Sequence, residues 1–307
     1  MPQDLHELPK LRDSMSYLYI EHAVIEQKDS SIVILQKDGK IPVPISVMTC
    51  LLLGPGTSVT SAAIKAMADN GCLVIWCGEH AGRFFASGMG ETRSASNLLL
   101  QAKLCMDNKY HMAVVRRMYE IRFPKTQTDN LTLQQLRGME GVRVRQTYQS
   151  ESKRCGVEWT ARKYKQTSWN DSDDINRALS CANTVLYGVC HAAIVSLGFS
   201  TGLGFIHTGK MLSFVYDIAD LYKKETSIPA AFEATRSYQS DSGVNLERQV
   251  RTLTRQKIAD CGILKRIADD LAWIFNIPVE EEQINKEEVG KLWDDQTGSI
   301  DGGVNYS

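Results

Sequence analysis

Through roughly the first ninety residues the apolar positions come in short blocks separated by turn chemistry, which predicts strands. Tyr17-Leu-Tyr-Ile and Ala23-Val-Ile precede a turn at Lys28-Asp-Ser-Ser, and Ile32-Val-Ile-Leu follows it. Lys37-Asp-Gly-Lys reads as a hairpin, because Asp-Gly accepts the positive φ of a two-residue turn. Ile41-Pro-Val-Pro-Ile carries prolines that suit a sheet edge or a strand end, and Thr49-Cys-Leu-Leu-Leu continues the apolar blocks. Thr60 is placed to cap a short helix running to Asn70, with Gly71 as its stop. Leu73-Val-Ile-Trp-Cys and Arg83-Phe-Phe-Ala predict a second hairpin around Glu79-His-Ala-Gly. Residues 1–90 thus read as a small β domain carrying one helix.

After Gly88-Met-Gly the spacing of apolar positions changes to a helical period. Helices are expected over Ser96–Asp107, Lys109–Phe123 and Leu131–Tyr148, the second bearing Arg116, Arg117 and Arg122. Asp173 or Asp174 caps a long apolar helix reaching Leu197, on which His191 reads as a core residue rather than a ligand. Pro229 starts another helix. Residues 91–278 form an all-helical domain, and 279–307 an acidic, weakly periodic tail read as flexible. The fold class expected is α+β, a small β-rich domain followed by a larger helical one.

Charge changes this picture more than composition does. The net charge is -1, yet from Lys103 to Lys165 there are 14 Lys/Arg against 6 Asp/Glu, and from Asn276 onward 2 against 8. A basic middle points to a polyanionic partner, although a solvated helical surface fits the same counts. The eight cysteines show no C-x-x-C pair and no zinc spacing, so they read as free thiols in a reducing compartment. No basic start with an apolar block, and no apolar run of about 20 residues, marks a signal or a membrane span, so a cytoplasmic protein without membrane partners is expected.

The candidate chemistry lies in Gly204–Tyr222, read G-F-I-H-T-G-K-M-L-S-F-V-Y-D-I-A-D-L-Y. Asp217 and Asp220 are three apart, a spacing that lets two helical side chains share a face. Carboxylates against an apolar wall call for a cation, and with His207 they make a plausible divalent-metal set. A blander arrangement fits equally: Asp217 a helix cap, Asp220 solvated, His207 in a loop. A second unusual stretch is Arg137-Gly-Met-Glu-Gly-Val-Arg-Val-Arg, where Glu140 sits between two glycines. Each glycine costs a helix about 0.5–1 kcal/mol relative to alanine, which is tolerated where something approaches the backbone or packs tightly. Arg248, Arg251 and Arg255 recur on one helical face.

Taken together, Glu140 in L-R-G-M-E-G, His207 in G-F-I-H-T-G-K, and Asp217 and Asp220 in S-F-V-Y-D-I-A-D resemble the CRISPR adaptation integrase, the universal first Cas protein. D-x-I-N at Asp173–Asn176 and C-x-x-x-V-L-Y-G-V from Cys181 through Val189 are similar to its subtype I-E branch. The resemblance spans roughly residues 13 to 260. It implies a homodimer, assembled with a small ferredoxin-like second Cas protein into a heterohexamer that loads double-stranded and forked DNA. It implies Mg²⁺ or Mn²⁺ held by Glu140, His207 and Asp220, with Asp217 in support. The chemistry implied is attack of a DNA 3′-OH on a phosphodiester, or hydrolysis when water replaces it. Arg83, Arg137, Arg143, Arg145, Lys210, Arg248, Arg251 and Arg255 are the expected DNA contacts. At the position where relatives stack a tyrosine on the duplex end this chain has His22, with Tyr17 or Tyr19 as possible substitutes.

Overall fold

The structure is a computed structural model. It describes residues 17–29, 31–37, 39–79, 84–88, 95–126, 128, 130–161, 173–241, 243, 245–276, 292–294 and 298–300. The N-terminal part holds two four-stranded sheets. In the first, β1 (Tyr17–Ile20), β5 (Cys50–Leu53), β7 (Leu73–Cys77) and β8 (Phe84–Gly88) lie in that order, with β1–β5 and β5–β7 parallel. In the second, β4 (Gly39–Pro44), β3 (Ser31–Gln36), β2 (Val24–Lys28) and β6 (Ser58–Val59) are neighbours. Both expected hairpins form: β3–β4 is antiparallel with Gln36 opposite Gly39, and β7–β8 is antiparallel.

Parallel pairing explains why β5 and β7 read as unbroken apolar runs. A strand covered on both faces has no solvent side to be polar, and Cys50 through Leu53 are all buried. The crossover between them contains α1 (Ser61–Asp69), whose cap Thr60 accepts a hydrogen bond from the Ala63 amide, as its position predicts. Ala63 and Met67 of α1 pack under the second sheet with Ile25, Ile32 and Leu51.

The helical part begins with α2 (Ser96–Met106) and α3 (Asn108–Arg122). Next comes α4 (Leu133–Cys155), opened by a capping box between Thr132 and Gln135 worth about 1 kcal/mol. It runs seven residues beyond the end expected from periodicity, closing at Gly156 in the left-handed conformation. Then follow α5 (Asp174–Ser196), α6 (Ser213–Tyr222), α7 (Ser227–Ser240), α8 (Leu246–Asp260) and α9 (Ile263–Phe275). Asp173 caps α5 by accepting from the Asn176 amide.

Helix α5 is the spine, packed against α6, α7, α8, α9 and strand β7. It is long and apolar enough to cross a membrane, which the sequence reading did not anticipate, but much of it is buried inside this fold. Near its C-terminal end Ala192 and Val195 meet Leu52, Ile75 and Cys77 of the first sheet. His191, buried there, stacks on Phe84 of β8 with ring centroids 3.5 Å apart. That seam and an ion pair between Arg251 of α8 and Glu79, 3.2 Å apart, join the two parts. In the tail, Leu292–Asp294 and Gly298–Ile300 pair as an antiparallel ribbon, so it is not wholly without structure as its composition suggested. All eight cysteines are free.

Candidate functional site

On α6 every residue is buried except Tyr216 and Asp220, which are half-buried and one turn apart. The two aspartates therefore do not share a face: Asp217 points inward and Asp220 toward the rim. They meet through His207. The imidazole Nδ1 is 2.7 Å from Asp217 Oδ1, and Nε2 is 4.0 Å from Asp220 Oδ2.

Asp217 is fully buried and is no helix cap. Its carboxylate accepts hydrogen bonds from the backbone amides of Phe205 (2.6 Å), Ile206 (3.0 Å) and His207 (2.8 Å), as well as from the imidazole. An ionised carboxylate only accepts, so the proton belongs on Nδ1 and the Nε2 lone pair faces outward. The loop can wrap the carboxylate this tightly because residue 204 is glycine. A Cβ there would stand 2.2 Å from the His207 carbonyl oxygen and 2.7 Å from Ser213 Cβ.

Asp220 Oδ1 is paired at 2.5 Å with Lys223, whose ammonium lies over the Tyr187 ring. Burial works against the charged amine, but Asp220 and Tyr187 outweigh it and raise the Lys223 pKa. Glu140, on α4, is held by Arg143 at 3.2 Å and lies 3.8 Å from Arg122. Arg122 is the link between the two halves of the site. Its side chain is 2% exposed, lies over Tyr119, approaches Glu140 with one guanidinium nitrogen and donates to the Asp217 carbonyl with the other at 3.4 Å. Tyr119 feels both halves: burial raises its pKa first, and the charges of Glu140 and Asp220 push in the same direction against Arg122 and Arg137.

Arg122 and Tyr119 thus stand between Glu140 on one side and the His207–Asp217–Asp220 group on the other. Among the described residues, no three His, Cys, Asp or Glu side chains stand close enough to ligate one ion. The donor set nonetheless suits a hard divalent cation: an imidazole with its second nitrogen fixed by a buried carboxylate, and two further carboxylates. Tyr119, Tyr187 and Lys223 had no place at the site in the sequence reading, and Arg122 entered it only as a charge on its helix. Only Lys223, one turn beyond Asp220, carried a local signal.

The expected DNA contacts divide. Arg137, Arg145, Lys210 and Arg248 are exposed. Arg143 is committed to Glu140 and packs over Phe123. On α8 the basic face turns partly inward: Arg251 pairs with Glu79, and Arg255 lines a groove with Tyr19 and Ile41 of the β part. Arg83 lies outside the described residues. His22 is exposed, has a left-handed φ of 52° and donates its amide to the Pro55 carbonyl. Its ring crowds Gly56, and Tyr19 crowds Gly54 while bonding Glu21. Tyr17 opens β1 opposite Cys50, and its side chain lies outside the described part. Neither Gly138 nor Gly141 has anything within 4 Å of where a Cβ would stand, so tight packing within the chain does not account for them.

A β-rich part joined to a helical part that bears an imidazole between two aspartates, faced by a glutamate and ringed by arginines, defines an α+β protein with an acid–imidazole centre. A family model described as CRISPR associated protein Cas1 matches residues 16–128 and 120–243, and the chain belongs to the Cas1 family. It is 47% identical over 309 residues to the CRISPR-associated endonuclease Cas1 2 of Thermus thermophilus, covering 99% of this chain and 94% of that one. It is 38% identical over 269 residues to the Cas1 endonuclease of Escherichia coli, covering 87% and 88%. A solved TtCas1–DNA complex matches with TM-score 0.78 at 49% identity, over 88% of this chain and 99% of that one.

Proposed function

We propose that this chain is a DNA endonuclease and integrase of CRISPR adaptation, joining short DNA duplexes to a repeat by attack of a 3′-OH on a phosphodiester. The observation that carries the reading is the His207 imidazole, fixed on Nδ1 by buried Asp217 and turned on Nε2 toward Asp220, with Glu140 across Arg122. Glu140, His207 and Asp220 would hold Mg²⁺ or Mn²⁺, which when bound neutralises phosphate charge and lowers the pKa of a coordinated hydroxyl. Asp217 keeps the imidazole in one tautomer and one orientation. Arg122 neutralises Glu140 inside the fold and ties α4 to α6. Lys223 holds Asp220 on the rim, and exposed Arg137, Arg145, Lys210 and Arg248 carry phosphates of the substrate.

The partners in this reading are double-stranded and forked DNA, a second copy of the chain, and a ferredoxin-like second Cas protein, in a heterohexamer. The Cas1 relative solved with DNA supports the first of these. Assignment to subtype I-E rests on the Asp173–Asn176 and Cys181–Val189 segments, and a cytoplasmic location follows from the DNA substrate. His207→Ala and Asp220→Ala are expected to abolish strand transfer into a repeat-bearing plasmid with Mg²⁺ or Mn²⁺. Duplex binding by gel shift should stay within about twofold, because affinity comes from many phosphate contacts elsewhere. Full integration by either variant would overturn the site assignment.

A further inference from the structure

The chain that leads to His207 is held from behind by a row of side chains on α2. Asn97, Gln101 and Cys105 are each four residues apart and so share one face of that helix. In order, they donate to successive carbonyls of the approaching chain. Asn97 reaches Leu197 at 2.7 Å, Gln101 reaches Ser200 at 3.0 Å and Leu203 at 2.9 Å, and the Cys105 thiol reaches Gly204 at 3.6 Å. Fully buried Gln101 also accepts from the Ser200 amide at 2.7 Å. The next carbonyl in the series, that of Phe205, is taken by His111 of α3, whose Nε2 stands 2.8 Å from it. The Phe205 amide binds Asp217, so His111 and Asp217 grip one residue by its two backbone poles.

The other ring nitrogen of His111, Nδ1, lies 2.9 Å from the Cys105 carbonyl. That carbonyl is in the last turn of α2, where a helix leaves its C=O groups without in-helix partners. Asp107 breaks the helix there with extended backbone and binds the Lys109 amide with its own carboxylate. A carbonyl only accepts, and a neutral imidazole has one N–H. Both contacts are therefore hydrogen bonds only when each ring nitrogen carries a hydrogen, and the negative pole at the end of α2 favours that cation. We propose that His111 is a positioning residue of the centre: with an N–H on each ring nitrogen it clamps the Phe205 carbonyl to the end of α2. The clamp sets the amides of residues 205–207 that hold Asp217, and through Asp217 the His207 imidazole. The inference rests on the reading of the chain as a strand-transfer enzyme.

The test joins nitrogen NMR to kinetics on the full chain. In metal-free protein carrying ¹⁵N in its six histidines, the ring whose signals vanish in His111→Phe is expected to bear hydrogen on both nitrogens in the strand-transfer buffer. His111→Phe keeps a ring beside Phe205, whose centroid is 5.1 Å away, and removes both donors. A thermal melt checks that it folds. Its kcat for strand transfer with Mn²⁺ should fall about tenfold or more, because a small displacement of a reacting group is costly in rate. Its KM for the duplex should stay within about twofold, and its His207 ring signals should move. His111→Arg supplies two donors and a positive charge and should return kcat to within about threefold of wild type. A His111 ring with hydrogen on one nitrogen only, a folded His111→Phe with wild-type kcat, or an arginine variant as slow as the phenylalanine one each overturns the clamp. If His111→Phe does not fold, the wild-type ring nitrogens, assigned from His111→Arg, decide. A wild-type chain without strand transfer sinks the functional reading, and the histidine signals then decide the clamp alone.

Discussion

Lowering the pH from 7 to 5 probes the seam between sheet and helix through His191. Burial pushes this imidazole down to about 4, from an ordinary value of 6.5. Its ring stacks on Phe84, and Ala192 beside it packs on the first sheet. The sign follows from which state binds the proton. Between pH 6.5 and 4 the unfolded chain protonates its histidine and the folded chain does not, so stability falls as pH falls and the loss is complete below about 4. A shift of that size corresponds to about 3 kcal/mol in full, of which about 2 kcal/mol is lost by pH 5. Other groups titrate in the same range, so the decisive quantity is a difference. In His191→Phe an uncharged ring replaces the imidazole in the same stack, whatever packing cost it adds at neutral pH. Urea denaturation followed by tryptophan fluorescence at pH 7, 6 and 5 should show wild type losing about 2 kcal/mol more than the variant across that span. Parallel pH dependences in the two proteins would refute the argument and mean that water reaches His191 in the folded state.

The remaining expectations concern the site and the basic faces. Asp217→Asn removes the charge that gathers three backbone amides and one imidazole, and turns a donor toward them. A stability loss of about 2–4 kcal/mol is expected in denaturant titration, together with lost strand transfer, and a normal melt would contradict the described wrapping. Gly138→Ala and Gly141→Ala should each raise stability by about 0.5–1 kcal/mol, since the added methyl meets open space. If strand transfer drops in these stabilised variants, DNA or a partner approaches α4 there; lower melting temperatures would rule out the free helix face. Arg248→Glu should weaken DNA binding and flatten its salt dependence without moving the melt. Arg251→Glu should instead lower stability by up to about 1 kcal/mol, and Glu79→Arg in the same chain should restore it; failure of that rescue would dissolve the pair.

Much of this architecture was legible because it is written in local chemistry. Thr60 and Asp173 cap the helices they precede, and the strands flanking Asp-Gly and Glu79-His-Ala-Gly pair with each other. The parallel register of β1, β5 and β7 was not legible, since apolar runs look alike whichever neighbour they take. The extra two turns of α4 were missed because Gln149 to Cys155 are polar and packing, rather than periodicity, carries the helix on. In the site, His207, Asp217 and Asp220 declared themselves by proximity in sequence. Their division of labour did not, because spacing cannot say that one aspartate points inward. Arg122 was hidden for a different reason: its importance comes from touching residues 18 and 95 positions away. Arg251 and Arg255 share a helical face with Arg248, yet the β part takes two of the three, which no reading of one helix reveals.

The wrapping of residues 205–207 around Asp217 also has a meaning for the order of folding. Three of the four gathered groups sit within fourteen residues and are joined by contacts of short sequence separation, the kind that forms at low loop-closure cost. Glu140 belongs to the centre only once α4 has docked from 67 residues upstream. A chain caught halfway therefore holds a finished imidazole with no glutamate opposite it, and acquires its full set of acids in the same event that completes the helical core. The carboxylate that comes from farthest away in the sequence is thus the one tied to completion of the helical packing.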